Sequence, residues 1–151
     1  MAPKTRILVI CTGNSARSQM AEGFFRHLGK GHIAVQSAGT HPTTVNPFAV
    51  RVMAEIGIDI SGHTSKSIHQ FWGQPFDFVL TVCDRAKEEC PYFPGAGKMV
   101  HHSFRDPAEV VGTEDEILAV FRSVRDDIEA WVRDFLTNGM AKEGEKFSIS
   151  F

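Results

Sequence analysis

No stretch of this chain approaches the roughly 20 apolar residues that a membrane-spanning helix needs, so residence in a membrane is not expected. The opening residues lead into a strand pattern without the basic and apolar blocks of a secretory signal, and a cytoplasmic protein is expected. A formal net charge of −2 gives no general attraction for nucleic acid or for an anionic membrane surface. Internal repeats and linker-like stretches are absent as well. The 151 residues therefore read as one domain over 1–138, followed by 139–151, which lacks periodicity and is expected to be a flexible C-terminal tail. Cysteine is scarce. Three residues are too few for a structural disulfide framework and direct attention to nucleophilic or redox chemistry instead.

What is present alternates between strand and helix patterns. Ile7-Leu8-Val9-Ile10 is a continuous apolar run suited to a strand buried on both faces. The helix after it places Met20, Ala21, Phe24, Phe25 and Leu28 on one face and stops at Gly29-Lys30-Gly31. Ile33 to Ser37 reads as a second strand, and Asn46-Pro47 as an N-cap and first-position proline. The helix that follows is expected to turn Val50, Met53, Ala54 and Ile56 inward and to stop at Gly57. Ile58 to Ser61 reads as short and extended, and Ser67 to Trp72 as a short helix. Phe76 to Val82 and Lys98 to His102 are the third and fourth strands, with Tyr92 to Gly97 a loop between helix and strand. Thr113 with Glu116 forms a capping box for the longest helix, whose stripe is Ile117, Phe121, Val124, Ile128, Trp131 or Val132, and Phe135. Asn138-Gly139 is expected to end it. The pattern implies an α/β fold: three layers, αβα, around a central, mainly parallel sheet of four strands.

Cys11-Thr12-Gly13-Asn14-Ser15-Ala16-Arg17-Ser18 joins the first strand to the first helix. Open α/β sheets bind ligands at that end of their strands. Backbone amides of Thr12, Gly13, Asn14, Ser15 and Ala16 would converge on an anion, the helix dipole adds positive charge, and Arg17 offers a forked cation to two oxygens. The same field favours Cys11 as a thiolate near neutral pH. A lone cysteine ending a buried strand is ordinarily an inert core residue; five residues and then Arg-Ser make this one a nucleophile in an anion trap. A nucleotide loop of the Walker type is excluded, because its Gly-Lys-Ser/Thr ending is missing.

Cys83 follows the third strand, at the same sheet end as Cys11 if the strands run parallel. Asp84 to Cys90 reads as a short helix capped by Asp84. A continuous helix would separate Cys83 and Cys90 by about 10.5 Å along its axis, whereas a disulfide needs Cα atoms within about 7 Å. Pairing of the two would require the charged segment between them to unwind. A relay then becomes available in which Cys11 reacts, Cys83 resolves and Cys90 carries the disulfide outward, each step being thiolate attack on sulfur. Cys83 as a buried core residue and Cys90 as a surface thiol are the plain alternatives. Zinc is not expected, since the thiol spacing matches no finger and adjacent His101 and His102 face opposite sides of a strand; no metal ligands are assigned. Asp106, placed on a loop by Pro107, can exchange a proton with a leaving oxygen.

Cys11 to Gly23, Cys83 with Cys90-Pro91, and Asp106-Pro107-Ala108 together resemble the thioredoxin-coupled arsenate reductases, which share the fold of the low-molecular-weight protein tyrosine phosphatases. The resemblance implies reduction of arsenate to arsenite, an arsenical-detoxifying role, and thioredoxin as external reductant, although glutathione-linked relatives also exist. Phosphate and sulfate would compete as oxyanions, and a monomer is expected. On this resemblance Cys11 is the nucleophile, Arg17 and the loop bind the oxyanion, Ser18 holds the thiolate, and Asp106 handles the leaving-oxygen proton. Cys83 attacks the Cys11 sulfur, and Cys90 closes a Cys83–Cys90 disulfide. Some members bind potassium through positions matching Asn14, Glu22 and Ser37 plus a carboxylate after His-Thr-Ser. Here Lys66 follows His63-Thr64-Ser65, so no tightly bound cofactor is expected and potassium is not required. The competing enzyme is a phosphatase of the same fold, using Cys11, Arg17 and Asp106 but neither Cys83 nor Cys90. Ala16 and Ala108, where such phosphatases carry a second loop cysteine and an aromatic, weigh against it. A non-catalytic redox or oxyanion sensor has no need of Asp106.

Overall fold

The computed structural model describes residues 4–140. Four strands, β1 (Thr5–Cys11), β2 (Ile33–Gly39), β3 (Phe76–Thr81) and β4 (Ala96–His101), form one sheet in the order β2-β1-β3-β4. Every pairing is parallel. β1 lies inside the sheet, and Ile7, Leu8, Val9 and Ile10 are all fully buried. Successive strand residues face opposite sides, so both faces of the sheet are covered. Right-handed crossovers through a strand order that reverses beside β1 put helices on both faces, which completes the three layers.

The helices are α1 (Arg17–Leu28), α2 (Pro47–Ala54), α3 (Asp84–Glu89) and α4 (Glu114–Asp134). In α1 the expected stripe of Met20, Ala21, Phe24, Phe25 and Leu28 is buried. Asn46 caps α2 by accepting from the Phe48 amide at 2.8 Å, with Pro47 at the first position. The Thr113–Glu116 capping box closes in both directions over α4. Gly57 takes φ +80°, the left-handed conformation that ends the α2 turn.

Several local expectations are corrected. The inward face of α2 is Ala49, Val52 and Met53, while Ala54 and Ile56 are exposed and Val50 is half-buried. From Phe48 to Ala54 every residue but Arg51 is apolar, so sequence spacing left the helix's roll about its axis open. Ile58 to Ser61, read as short and extended, joins no sheet, and Ile58 and Ile60 are buried from this loop. The short helix expected over Ser67 to Trp72 is one 3₁₀ turn, Ile68–Gln70, capped by Ser67. Asp84 is the first residue of α3 and not its cap, a place taken by Cys83. β4 begins at Ala96, inside the expected loop. On α4, Val132 takes the buried place and Trp131 sits half-buried, stacked on His102 at 5.4 Å. Asn138-Gly139 does not stop the chain's helical path: α4 passes into one π turn, Phe135–Gly139, and Met140 is fully buried. The expected tail beyond 140 lies outside the described residues.

β1 and β3 are neighbours whose onward connections depart in opposite directions across the sheet. That is the topological switch point where a crevice opens at the carboxyl ends of the strands. Cys11 ends β1 and Cys83 follows β3, so both thiols border this crevice.

Candidate active site

The connection from β1 to α1 is built around Asn14. Its backbone adopts φ 49°, a left-handed conformation that asparagine tolerates better than most residues. The buried Asn14 side chain donates from Nδ2 to Ser18 Oγ and to Ser37 Oγ, both at 2.8 Å, and its Oδ1 accepts from the Lys66 amide at 2.8 Å. Its carbonyl accepts from Gln19 Nε2 at 3.0 Å and Ser65 Oγ at 2.6 Å. Residues 40–46 run alongside the loop as a strap: the amides of Thr40, His41, Thr43 and Asn46 donate to the carbonyls of Cys11, Thr12, Gly13 and Ser15 at 3.2, 2.8, 2.9 and 2.9 Å. A trans peptide points its N–H opposite its C=O, so the amides of Thr12, Gly13, Asn14 and Ala16 point away from the strap, as an anion cradle requires. Gly39 is needed beneath it, because a Cβ there would meet the Thr12 carbonyl oxygen at 2.5 Å and the Asn14 nitrogen at 2.9 Å.

α1 starts with Ala16 at its N-cap, no capping side chain and no acidic residue in its first turn. Its dipole and first-turn amides are thereby left for a ligand. Cys11 Sγ lies 2.8 Å from Ser18 Oγ. Ser18 Oγ accepts from Asn14, which leaves its single hydrogen free to donate to the sulfur of a Cys11 thiolate. Ser37 Oγ likewise accepts from Asn14 and donates to Glu22 Oε1 at 2.6 Å. Burial pushes the Glu22 carboxyl up, but the Ser37 hydrogen bond, the charges of His63 and Lys66 and the Arg26 hydrogen bond outweigh it and hold the group below the usual carboxylate range. Burial also holds His63 below the ordinary histidine value; Arg26 lies 2.8 Å and Lys66 3.7 Å from the Glu22 carboxylate.

Cys11, Thr12, Arg17, Thr43, Asp106 and Ala108 line a cavity of about 250 Å³. Arg17 Nη1 donates to the Phe104 carbonyl at 3.1 Å, and Nη2 stands 3.6 Å from Asp106 Oδ2. The other Asp106 oxygen accepts from the Ala108 amide at 3.0 Å. Aspartate and arginine are thus fixed over one opening, in front of the sulfur. A larger cleft of about 390 Å³ beside Lys4, Arg6 and Arg26 contains no nucleophile.

Cys83 is buried as the N-cap of α3, its sulfur 3.4 Å from Thr12 Oγ1. It lines a second cleft of about 330 Å³ that shares Thr12, Arg17 and Asp106 with the first. Cys90, the C-cap of α3, lines neither; its thiol points to the Tyr92 carbonyl at 3.5 Å, and burial pushes its pKa up. All three cysteines are free thiols. Among the described residues no three His, Cys, Asp or Glu side chains gather as a metal site, and no helix is long and apolar enough to cross a membrane.

The structure therefore gathers Cys11, Thr12, Arg17, Ser18, Cys83 and Asp106 and leaves Cys90 one short helix away. Sequence spacing missed Gln19 and His63, which brace the loop from behind: His63 Nδ1 donates to Gln19 Oε1 at 2.9 Å, and Gln19 Nε2 donates to the Asn14 and Thr64 carbonyls. A glutamine next to the buried stripe of α1 was the available signal.

Residues 6–146 match the low molecular weight phosphotyrosine protein phosphatase family. An arsenate reductase of Shouchella clausii is 46% identical over 136 residues, covering 90% of this chain and 98% of its own. A solved arsenate reductase in the phosphate binding state superposes with a TM-score of 0.76 at 36% identity, covering 91% of this chain and 98% of that one. A low molecular weight protein tyrosine phosphatase from T. tengcongensis gives a TM-score of 0.72 at 25% identity, over 87% and 97%.

Proposed function

The chain belongs to the low molecular weight phosphotyrosine protein phosphatase family and, within it, to the arsenate reductases, and from that premise we propose that Cys11, Cys83 and Cys90 carry the two electrons of arsenate reduction between them. The observation that supports this most directly is the adjoining pair of cavities. Cys11 opens on one and Cys83 on the other, with Thr12, Arg17 and Asp106 shared.

Arsenate binds in the loop against the forward-facing amides and the Arg17 fork; a relative in its phosphate-bound state fits the same oxyanion chemistry. Cys11 attacks arsenic as a thiolate, and Asp106 supplies the proton on the oxygen that leaves as water. Cys83 then attacks the Cys11 sulfur. The S–As bond breaks with its electron pair on arsenic, which leaves as arsenite, and a Cys11–Cys83 disulfide remains. Cys90 attacks Cys83, freeing Cys11 as thiolate and leaving a Cys83–Cys90 disulfide. A dithiol reductant of the thioredoxin class reduces that bond and closes the cycle. Ala108, at the cavity rim, offers no aromatic wall for a tyrosyl ring. Lys66 places an ammonium beside Glu22 and donates its amide to Asn14, so the loop holds its shape without potassium.

The test is a set of Cys→Ser variants assayed with arsenate plus a thioredoxin system and with a chromogenic phosphate ester. Cys11→Ser loses both activities by a thousandfold or more, on the order of other nucleophile deletions. Cys83→Ser and Cys90→Ser lose arsenate turnover and keep ester hydrolysis. Normal arsenate turnover by Cys90→Ser with thioredoxin overturns the relay.

A further inference from the structure

Cys90 reaches Cys83 only if α3 opens, and its direct neighbour Glu89 is the residue that ties the helix down. Glu89 Oε2 accepts from His41 Nε2 at 2.6 Å, and Glu89 Oε1 accepts from Thr40 Oγ1 at 3.3 Å and from Arg85 Nε at 3.0 Å. These bonds hold the Glu89 carboxyl below its usual range, the His41 hydrogen bond first among them. Thr40 and His41 belong to the strap whose amides bond the carbonyls of Cys11 and Thr12. At the other end of α3, Asp84 accepts from His101 Nε2 at 2.9 Å. Between these two ties only Ala86 is buried. Few other contacts resist opening, so the ties decide how often the helix opens.

We propose that His41, Thr40 and Glu89 form a clasp that sets the rate at which α3 opens, which makes His41 and Glu89 positioning residues for the last thiol exchange. The clasp fastens the shuttle end of α3 to the same strap that shapes the oxyanion loop, and it stabilises the reduced, helical form alone. Releasing it favours the step in which Cys90 attacks Cys83, the Cys11–Cys83 bond breaks, Cys11 leaves as thiolate and the Cys90 proton goes to solvent. That step inherits the relay proposed above; the opening of α3 can be measured without it.

The experiment is alkylation of Cys90 in the fully reduced protein, followed by mass spectrometry of the Cys90 peptide, for the wild type, Glu89→Ala, His41→Ala and the double variant. Each single variant is expected to alkylate Cys90 about fivefold faster, and the double variant no faster than the singles, because one clasp is lost in all three. Hydrolysis of the phosphate ester stays unchanged in Glu89→Ala, which lies outside both the loop and its strap. The Cys83–Cys90 couple moves about 20 mV more negative, the same fivefold change expressed as a two-electron potential. Unchanged Cys90 alkylation in both single variants, or effects that multiply in the double variant, overturns the clasp. Failure of the wild type to turn over arsenate would count against the relay alone, and the alkylation rates would still decide for or against the clasp.

Discussion

The oxyanion loop, residues 11–18, and the segment from Cys83 to Cys90 each carry reactive sulfur, and they are held in opposite ways. In the loop, one asparagine side chain bonds Ser18, Ser37 and the Lys66 amide, and four carbonyls are zipped to a neighbouring strap. α3 buries one methyl group and is tied by side chains at its ends. The first chemical step needs donors fixed before the substrate arrives, since preorganised dipoles stabilise developing charge without rearranging. The last step of the relay proposed above needs two thiols, separated by a helix, to meet. One fold supplies a rigid half and a yielding half, and only the first gains from more hydrogen bonds.

Changes that touch one half and spare the other sharpen this contrast. The largest effect is expected from Arg17→Lys, which keeps the charge and removes the fork. Both arsenate reduction and ester hydrolysis should fall about a hundredfold in kcat/KM, comparable to the loss of one oxyanion donor, with Cys90 alkylation unchanged. If alkylation changes as well, the two halves are coupled and the contrast breaks. Next comes Ala86→Gly. A glycine in a helix costs about 1 kcal/mol relative to alanine, so Cys90 should alkylate about fivefold faster while ester hydrolysis holds. Glu22 gives a pH test of the rigid half. Its folded-state pKa is depressed, so the stability it contributes is fully present above the ordinary carboxylate value of 4.5 and is lost as pH falls through the lower folded value. Thermal unfolding followed from pH 7 down to 3 should therefore fall less steeply in Glu22→Gln than in the wild type. The smallest effect is none at all: exchanging potassium for sodium should leave arsenate turnover unchanged, and a several-fold activation by potassium would show that Lys66 does not stand in for the ion.

Legibility in the sequence divides along the same line. The strand, the thiol, the Arg-Ser pair, the Asn46-Pro47 start and the Thr113–Glu116 box are signals carried within a few residues, and each lies where spacing placed it. The short helix between Cys83 and Cys90 was also readable, and with it the condition that any pairing of these thiols requires that helix to unwind. Contacts that join distant segments were not readable. Nothing near Asn14 announces Ser37 or the Lys66 amide, and nothing near Glu89 announces His41, 48 residues away. The face of α2 was misread because apolar residues nearly encircle it, and Asp84 was misread as a cap because Cys83 already has extended backbone and fills that place.

Uncovering Ala86 and the Cys90 sulfur exposes little apolar surface, and this governs how the relay responds to warming. Unfolding of a whole domain carries a heat-capacity increment of about 12–15 cal/mol/K per residue, which bends its stability curve. Opening of α3 carries only a small fraction of that increment. Its equilibrium should follow a nearly straight van't Hoff line, so the exchange step changes smoothly across temperatures at which the stability of the surrounding domain passes through its maximum.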